Sequence, residues 1–458
     1  MKIVLASPHF PPRFIGGVET FVKRLADGFL GLGDQPTVIA VEAIDQPTGA
    51  PRIDVDSSFG YPVYRVSLDL TKSGRPLAFH YGNSQIDQAI GDIVSDVSPD
   101  IVHLHSGYLL GVGWLARARA GGATTLLSLH DYWILCPRMT LTHPDGRVCS
   151  GPESAAKCAW CLATQRRRYR ALDTVTGGAV GRTVAQLGSA PGTSRMISVT
   201  SSVAAVLERQ RALLAAVSQI DEVVSPSRFT RDQAIAAGFP GERIRVIPSG
   251  VVSNISRRSP ECIGPVRRFG FLGQVAPHKG VHVLIDAVCR LRGAPLTLTI
   301  HGDLTRSPDY VAGLRARAAG DARITFAGAY TTDDLDAVFA GLDVVVVPST
   351  WYENAPFVIL EAQRAGLPLV ASRLGGMREL ITDERDGLLA TAGDAADLAR
   401  QLTRLLDPAL VCSLAAAAPA VRTFEEELRD LRLWYAAMRA QTNESDTSER
   451  DDHGRCRR

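Results

Sequence analysis

The sequence predicts an α/β fold of two doubly wound domains in tandem, and three observations carry that expectation. Short apolar runs alternate with segments of helical period along most of the chain. The runs are apolar throughout, as in parallel strands buried on both faces. The rhythm also stops and restarts about midway, dividing the 458 residues into two units of roughly 200 each.

The opening KIVLAS (2–7) reads as a buried strand. After Gly16 and Gly17, residues Val18, Phe21, Val22, Leu25, Phe29 and Leu32 fall at helical spacing. Strand-like runs follow at 36–42 (PTVIAVE), 62–67 (PVYRVS), 100–105 (DIVHLH) and 124–130 (TTLLSLH). From about 136 to 195, cysteines, a basic run and Gly/Ser/Thr-rich text replace the alternation and mark an insertion. A helix near 203–217, a strand at 221–227, a helix to about 237 and a strand at 244–250 complete a first domain expected over 1–255. SRRSPECIGPVRR (256–268) has the Pro, Gly and charge content of a linker. The second domain, expected over 256–422, has strands at 269–275, 296–302, 324–329, 343–349 and 368–373. A helix at 423–440 is expected to cross back onto the first domain, and 441–458 to form a disordered polar tail. In open parallel sheets ligands bind beyond the carboxyl ends of the strands, so the site is expected between the domains.

Hydrophobic residues at 45% against 21% charged leave ample apolar surface for two cores. Lys and Arg number 50 against 48 Asp and Glu, and a net charge of +2 makes no field that calls for a nucleic-acid partner. No apolar run of about 18 residues predicts a membrane span. MKIVLASPHFPP lacks the apolar region and cleavage site of a signal peptide, so the cytoplasm is the expected location. QRRRYR (165–170), with Arg182 nearby, suits either a solvated face or a peripheral contact with anionic headgroups at the inner face of a membrane.

The most informative segment is PSTWYENAPFVILEAQRAG (348–366). It places Glu353 and Asn354 in a strand-to-helix turn and starts a helix at about Pro356, a favoured first helical residue. Backbone N–H groups of Asn354, Ala355 and their neighbours, with a helix dipole worth about half a positive charge, make an anion site suited to a diphosphate. Glu361 sits a turn later, where a carboxylate accepts bonds from paired hydroxyls such as those of a ribose. FLGQVAPHKGVHVLIDA (271–287) reads as a strand, a loop with Gly273, Gln274 and Lys279, and a helix. PHFPPRFIGGVE (8–19) is a turn in which Gly16 and Gly17 let backbone approach a ligand closely. His130 ends a strand beside Asp131, placed to bond a sugar hydroxyl while adjusting its charge near neutral pH.

Glu353 and Glu361, separated by seven residues, together with the loop holding Lys279, resemble the signature of retaining nucleotide-sugar glycosyltransferases of the GT-B fold, family four, over roughly 1–406. The resemblance implies two Rossmann-like domains facing across a cleft, an acceptor domain first and a donor domain second. It further implies transfer of a sugar from a nucleoside diphosphate sugar to an acceptor hydroxyl (on a glycan, a lipid-linked glycan or a small molecule) with retained configuration. No cofactor is then needed for catalysis. By the same likeness His130, Lys279 and Glu353 are catalytic, and Gly16, Gly17, Gly273, Gln274, Lys279, Glu353, Asn354, Ala355, Pro356 and Glu361 bind the donor. Glu353 would contact the sugar and Glu361 the ribose.

Gln274 departs from the family pattern, which has Arg there. A neutral amide gives up a charge-assisted bond of about 1.5–3 kcal/mol for one of about 0.5–1.5. Either Arg13, His278 or Arg138 supplies the missing charge, or the leaving group is held differently.

Two Asp-x-Asp strings, 54–56 and 334–336, match the metal-holding motif of other sugar transferases; the first precedes a polar loop, the second lies in a helical stretch, and both read as chance. Cys136, Cys149, Cys158 and Cys161 are candidate ligands of a structural zinc, since C-x-x-C is a common half-site, although the first pair lacks that spacing. His103 and His105 read as structural. A nicotinamide-dependent oxidoreductase would need G-x-G-x-x-G after the first strand, which instead runs into PHFPPRFIGG. Two alternatives remain: a nucleotide-sugar epimerase of the same architecture, and a catalytically weak sugar-nucleotide-binding protein.

Overall fold

The computed structural model describes residues 1–14, 16–44, 51–69, 77–189, 201–258 and 264–455. One sheet contains β1 (Lys2–Ser7), β2 (Gln35–Ile44), β3 (Arg52–Asp56), β4 (Val63–Asp69), β5 (Ile101–Leu104), β6 (Thr124–Ser128), β7 (Glu222–Ser225) and β8 (Ile244–Val246), in the order β3-β4-β2-β1-β5-β6-β7-β8. The other contains β9 (Arg267–Leu272), β10 (Leu296–His301), β11 (Ile324–Gly328), β12 (Val344–Val347), β13 (Leu369–Ser372) and β14 (Gly387–Ala390), in the order β11-β10-β9-β12-β13-β14. The strands show why their text is apolar throughout. Ile3 and Leu5 of β1 enter the core on one face of the sheet and Val4 and Ala6 on the other. In β12, Val344 and Val346 oppose Val345 and Val347 in the same way. Such a strand has no polar face for the sequence to display.

Both sheets reverse their strand order once, between β1 and β5 and between β9 and β12. Adjacent loops leave in opposite directions at such a point and open a crevice at the carboxyl ends of the strands. The loops after β1, β9 and β12 carry most of the residues expected to bind the donor.

Three features differ from the sequence reading. β3 pairs antiparallel with β4 and is mostly exposed, so the first Asp-x-Asp string lies on an edge strand. Cross-strand pairing, which local text does not reveal, makes it a strand. β14 has four buried residues, too few for a periodic signal. The last helix spans Phe424–Arg455, so the expected disordered tail is helical over 441–455. Extending an existing helix adds one bond per residue without a new nucleus. Residues 456–458 of that tail, 190–195 of the expected insertion and 259–263 of the expected linker lie outside the described residues. Elsewhere the insertion contains helices Ala155–Ala163, Arg167–Val175 and Ala179–Ser189.

The last helix packs on the first sheet. Phe424, Leu428, Leu431, Tyr435 and Met438, at alternating spacings of four and three, are buried among Ile3, Leu5, Phe10 and Phe21. Arg432 donates to Asp34 at 2.6 Å beside this stripe. No helix among the described residues is long and apolar enough to cross a membrane.

Candidate active site

At the reversal point of the second sheet the loops after β9 and β12 are pressed together. Gly280 has φ 73°, and a Cβ there would collide with the Pro348 carbonyl oxygen. Thr350 N donates to the His278 carbonyl at 2.8 Å. This contact sets Lys279 Nζ 2.7 Å from Glu353 Oε1, which also accepts from Ser349 Oγ at 2.7 Å. Burial opposes charge on Glu353, but the Lys279 ammonium and these bonds outweigh it and hold the carboxyl below its usual range. Lys279 also lies over the Trp351 ring, 5.4 Å from its centroid.

Pro356 is the N-cap, and the helix begins at Phe357. The Asn354 side chain is turned toward the first domain: Nδ2 donates to the His130 carbonyl at 2.6 Å and Oδ1 accepts from Thr230 Oγ1 at 2.9 Å. Ala355 lies between Asn354 and this cap and is partly buried. Glu361 is buried on the same short helix, and burial pushes its carboxyl up to about 7 against the opposing charge of Arg24. Gly273 has φ 140° and donates its N–H to the His301 carbonyl at 3.1 Å. Gln274 is exposed.

In the first domain Gly16 caps the helix Gly17–Gly31 in extended conformation. A Cβ on Gly16 would strike the buried Glu19 carboxylate, whereas one on Gly17 would meet open space. His130 is partly buried two residues beyond the end of β6, with Nε2 3.0 Å from His105 Nδ1 and the two rings stacked. Burial holds it down to about 4, which corrects the expectation of a histidine titrating near neutral pH. Asp131 accepts from Ser106 Oγ and Trp133 N, each at 2.8 Å. His103 bonds Tyr435 of the last helix and, at 2.7 Å, Ser128.

Of the three expected cations, two have partners and one is held neutral. Arg13 pairs with Glu42. Arg138 donates to the Thr142 carbonyl at 3.1 Å. His278 is held down to about 4 by burial and by Lys279. Arg24 and Arg306 went unnoticed in the sequence, because single arginines in helix and loop text carry no local signal.

Cys136, Cys149, Cys158 and Cys161 line one cavity of about 20 Å³ with His143. They are unbridged thiols, and among the described residues no three His, Cys, Asp or Glu side chains are grouped to hold a metal ion. The carboxylates of the Asp-x-Asp strings have partners elsewhere. Asp54 pairs with Arg52, Asp56 with Arg65, Asp334 caps at Thr331 and Asp336 accepts from Ser256 N.

Two doubly wound domains in tandem, each with one reversal of strand order, define the GT-B class of glycosyltransferase fold. The chain belongs to the family described as Glycosyltransferase Family 4, which it matches over 15–254, and it also matches Glycosyl transferases group 1 over 266–408. It is 32% identical to 2-deoxystreptamine glucosyltransferase of Streptomyces kanamyceticus over 46% of this chain and 50% of that protein. It is 35% identical to D-inositol 3-phosphate glycosyltransferase of Salinispora tropica over 30% of this chain and 31% of that protein. The chain thus spans half the length of the first relative and under a third of the second. Among solved structures, sucrose-phosphate synthase from Thermosynechococcus elongatus superposes with a TM-score of 0.65 at 18% identity, covering 96% of this chain and 99% of that one. HepE of Anabaena, in complex with UDP and glucose, gives 0.61 at 19% identity, covering 95% and 99%.

Proposed function

We propose that this protein transfers a glycosyl group from a nucleoside diphosphate sugar to an acceptor hydroxyl with retained configuration. The observation that carries the reading is the Lys279–Glu353 pair at the reversal point of the donor-side sheet. The glucosyltransferase relative and the UDP-bound neighbour support a sugar nucleotide as donor. Lys279 would exchange part of its contact with Glu353 for the departing diphosphate, and Glu353, freed on one side, would accept from sugar hydroxyls. Glu361 would take the ribose, with Gly16, Gly17, Gly273, Gln274 and the backbone at Asn354, Ala355 and Pro356 lining the donor. His130, neutral across the cleft, would bond a sugar hydroxyl without placing a second cation there. In a front-side reaction a diphosphate oxygen receives the acceptor proton as the bond to the anomeric carbon exchanges, and leaving-group stabilisation is the largest contribution.

Lys279 and the helix beginning at Phe357 supply positive potential without a catalytic metal, and the engaged Asp-x-Asp carboxylates agree with that. A thermal-shift screen of nucleoside diphosphates and their sugars identifies the donor, and NMR of the product anomer tests retention. Lys279→Ala and Glu353→Gln should each lower turnover more than about tenfold; full activity in either overturns the assignment. Conversion of donor without acceptor would instead mark an epimerase, and binding without turnover a sugar-nucleotide-binding protein.

The thiol cavity supports a structural zinc only if the cysteines turn inward to a tetrahedral shell; under about 0.2 zinc per purified chain removes it. The helix Arg167–Val175 buries none of its residues and supports a peripheral contact at the cytoplasmic membrane face. Equal sedimentation with anionic and neutral vesicles would remove that contact.

A further inference from the structure

A donor diphosphate brings at least two negative charges into the cleft. Lys279 meets them while already paired with Glu353, and Gln274 beside it is neutral and exposed. The three cations that the sequence offered as substitutes are engaged or uncharged. The loop after β10 provides a fourth. It lies against the loop after β9: a Cβ on Gly302 would collide with the Gly273 carbonyl oxygen, which leaves room only for glycine there. Four residues on, Arg306 reaches toward the first domain, its guanidinium carbon 5.8 Å from the centroid of the Phe14 ring in the loop that ends at Gly16. Its charge also acts on the buried Glu19 of the same glycine turn. Arg306 therefore bridges the two loops between which a diphosphate would lie.

The pairing of Arg306 also suits a ligand. Its partner is Asp303 at 3.4 Å, with the two side chains 40% and 39% exposed. Thr305 N at 2.8 Å and Thr305 Oγ1 at 2.6 Å both donate to Asp303 Oδ1, so the carboxylate keeps two partners when Arg306 leaves Oδ2. An exposed, loosely spaced pair contributes little, so the guanidinium leaves it at small cost. By contrast, Arg24 is partly buried and faces the charges of Glu361, Glu427 and Glu425. We propose that Arg306 is the second cation of the donor diphosphate site, supplying from the β10 loop the charge that Gln274 does not supply from the β9 loop. A guanidinium suits this place because its planar fork binds two phosphate oxygens at once. The inference rests on the glycosyl-transfer reading.

Calorimetry on the full chain with UDP, ADP and GDP tests it. At least one diphosphate should bind the wild type. Arg306→Ala should weaken that diphosphate by about tenfold or more, the size of one lost charge-assisted contact, and should change binding of the matching monophosphate far less. It should also flatten the salt dependence of binding, and adding Gln274→Arg should restore most of the loss. Arg306→Gln, which keeps the length and polarity of the side chain, replaces the alanine variant if that fails to fold. A variant that binds the diphosphate within about threefold of wild type, or a loss that Gln274→Arg leaves unrepaired, overturns the role of Arg306 alone. A wild type that binds none of the three overturns the transferase reading as well.

Discussion

The two domains meet the cleft with the same architecture and opposite electrostatics. Each offers the end of a buried parallel strand at a reversal point, followed by a loop and a helix. In the second domain that place holds an ion pair, Lys279 with Glu353. In the first it holds His105, after β5, with His130 stacked on it from beyond the end of β6, both kept neutral by burial, and His103 behind them. On the proposed function the contrast fits the two ends of a sugar nucleotide: the second domain would meet a leaving group that gains charge, the first neutral hydroxyls that need direction. Buried cations on both sides would hold the diphosphate product as tightly as the transition state, which lowers the ground state without speeding the reaction.

Substitutions on the two sides should therefore differ in size. Glu353→Gln removes the carboxylate and leaves Lys279 without its partner, and kcat/KM should fall by about a hundredfold. His130→Ala removes one hydrogen-bonding group and should cost about tenfold, mostly in KM for the donor. Steady-state kinetics on both variants decide it, and losses of equal size or in the reverse order would break the contrast.

A smaller effect separates the sides by pH. Burial lowers the histidines, His130 to about 4 and His103 to about 3, below the value near 6.5 of an unfolded chain. The unfolded chain then takes up protons first, and their contribution to stability, present above about 6.5, is lost as pH falls toward 4. Glu361 and Glu427 are pushed the other way by burial, each up to about 7. For them the folded chain holds the proton more tightly, so stability is lost as pH rises from about 4.5 toward 7. The two trends oppose each other in the wild type. A Glu361→Gln, Glu427→Gln double variant removes the two largest opposing carboxylates, so its thermal midpoint should fall more between pH 7 and pH 5 than that of the wild type. An equal fall in both proteins would show that these carboxylates do not hold their protons in the folded chain.

How much of this was legible in sequence follows from where each residue's partners lie. Both sheets could be read because their strands are buried on both faces, as in β12, where the text itself is the burial pattern. β3 could not, since its strand character lies in pairing with β4. Lys279 and Glu353 were each visible in a loop of recognisable form. Their contact was not, because 74 residues separate them and the loops come together only through Gly280, which has no Cβ to strike the Pro348 carbonyl. Asn354 was expected to serve the donor through its backbone N–H; that its side chain ties the domains together through Thr230 and the His130 carbonyl was not legible. The neutrality of His130 was equally hidden, since it arises from burial beside His105 and Phe21 and not from adjacent sequence.

The smallest expected effect concerns the seam between the two sides. Glu379 in the second domain accepts from Arg228 N at 2.8 Å and from Phe229 N, so a carboxylate from one domain caps a helix of the other. The helix Arg228–Ala236 also has its own cap, Ser227, whose hydroxyl accepts from Thr230 N. Glu379→Gln keeps one acceptor oxygen and loses the acceptor for the second N–H together with the charge facing the helix N-terminus, the charge being worth about 0.3–1 kcal/mol at an exposed site. The own cap leaves the helix intact, so the loss should fall on the attachment between domains. Thermal stability should change by about a degree or two, while KM for the donor rises about twofold with kcat unchanged. Added salt should shrink the difference from wild type, because screening weakens the lost interaction in both comparisons. A fall in kcat as large as that of His130→Ala would instead place Glu379 in the chemistry and move part of the second domain's charge onto the seam.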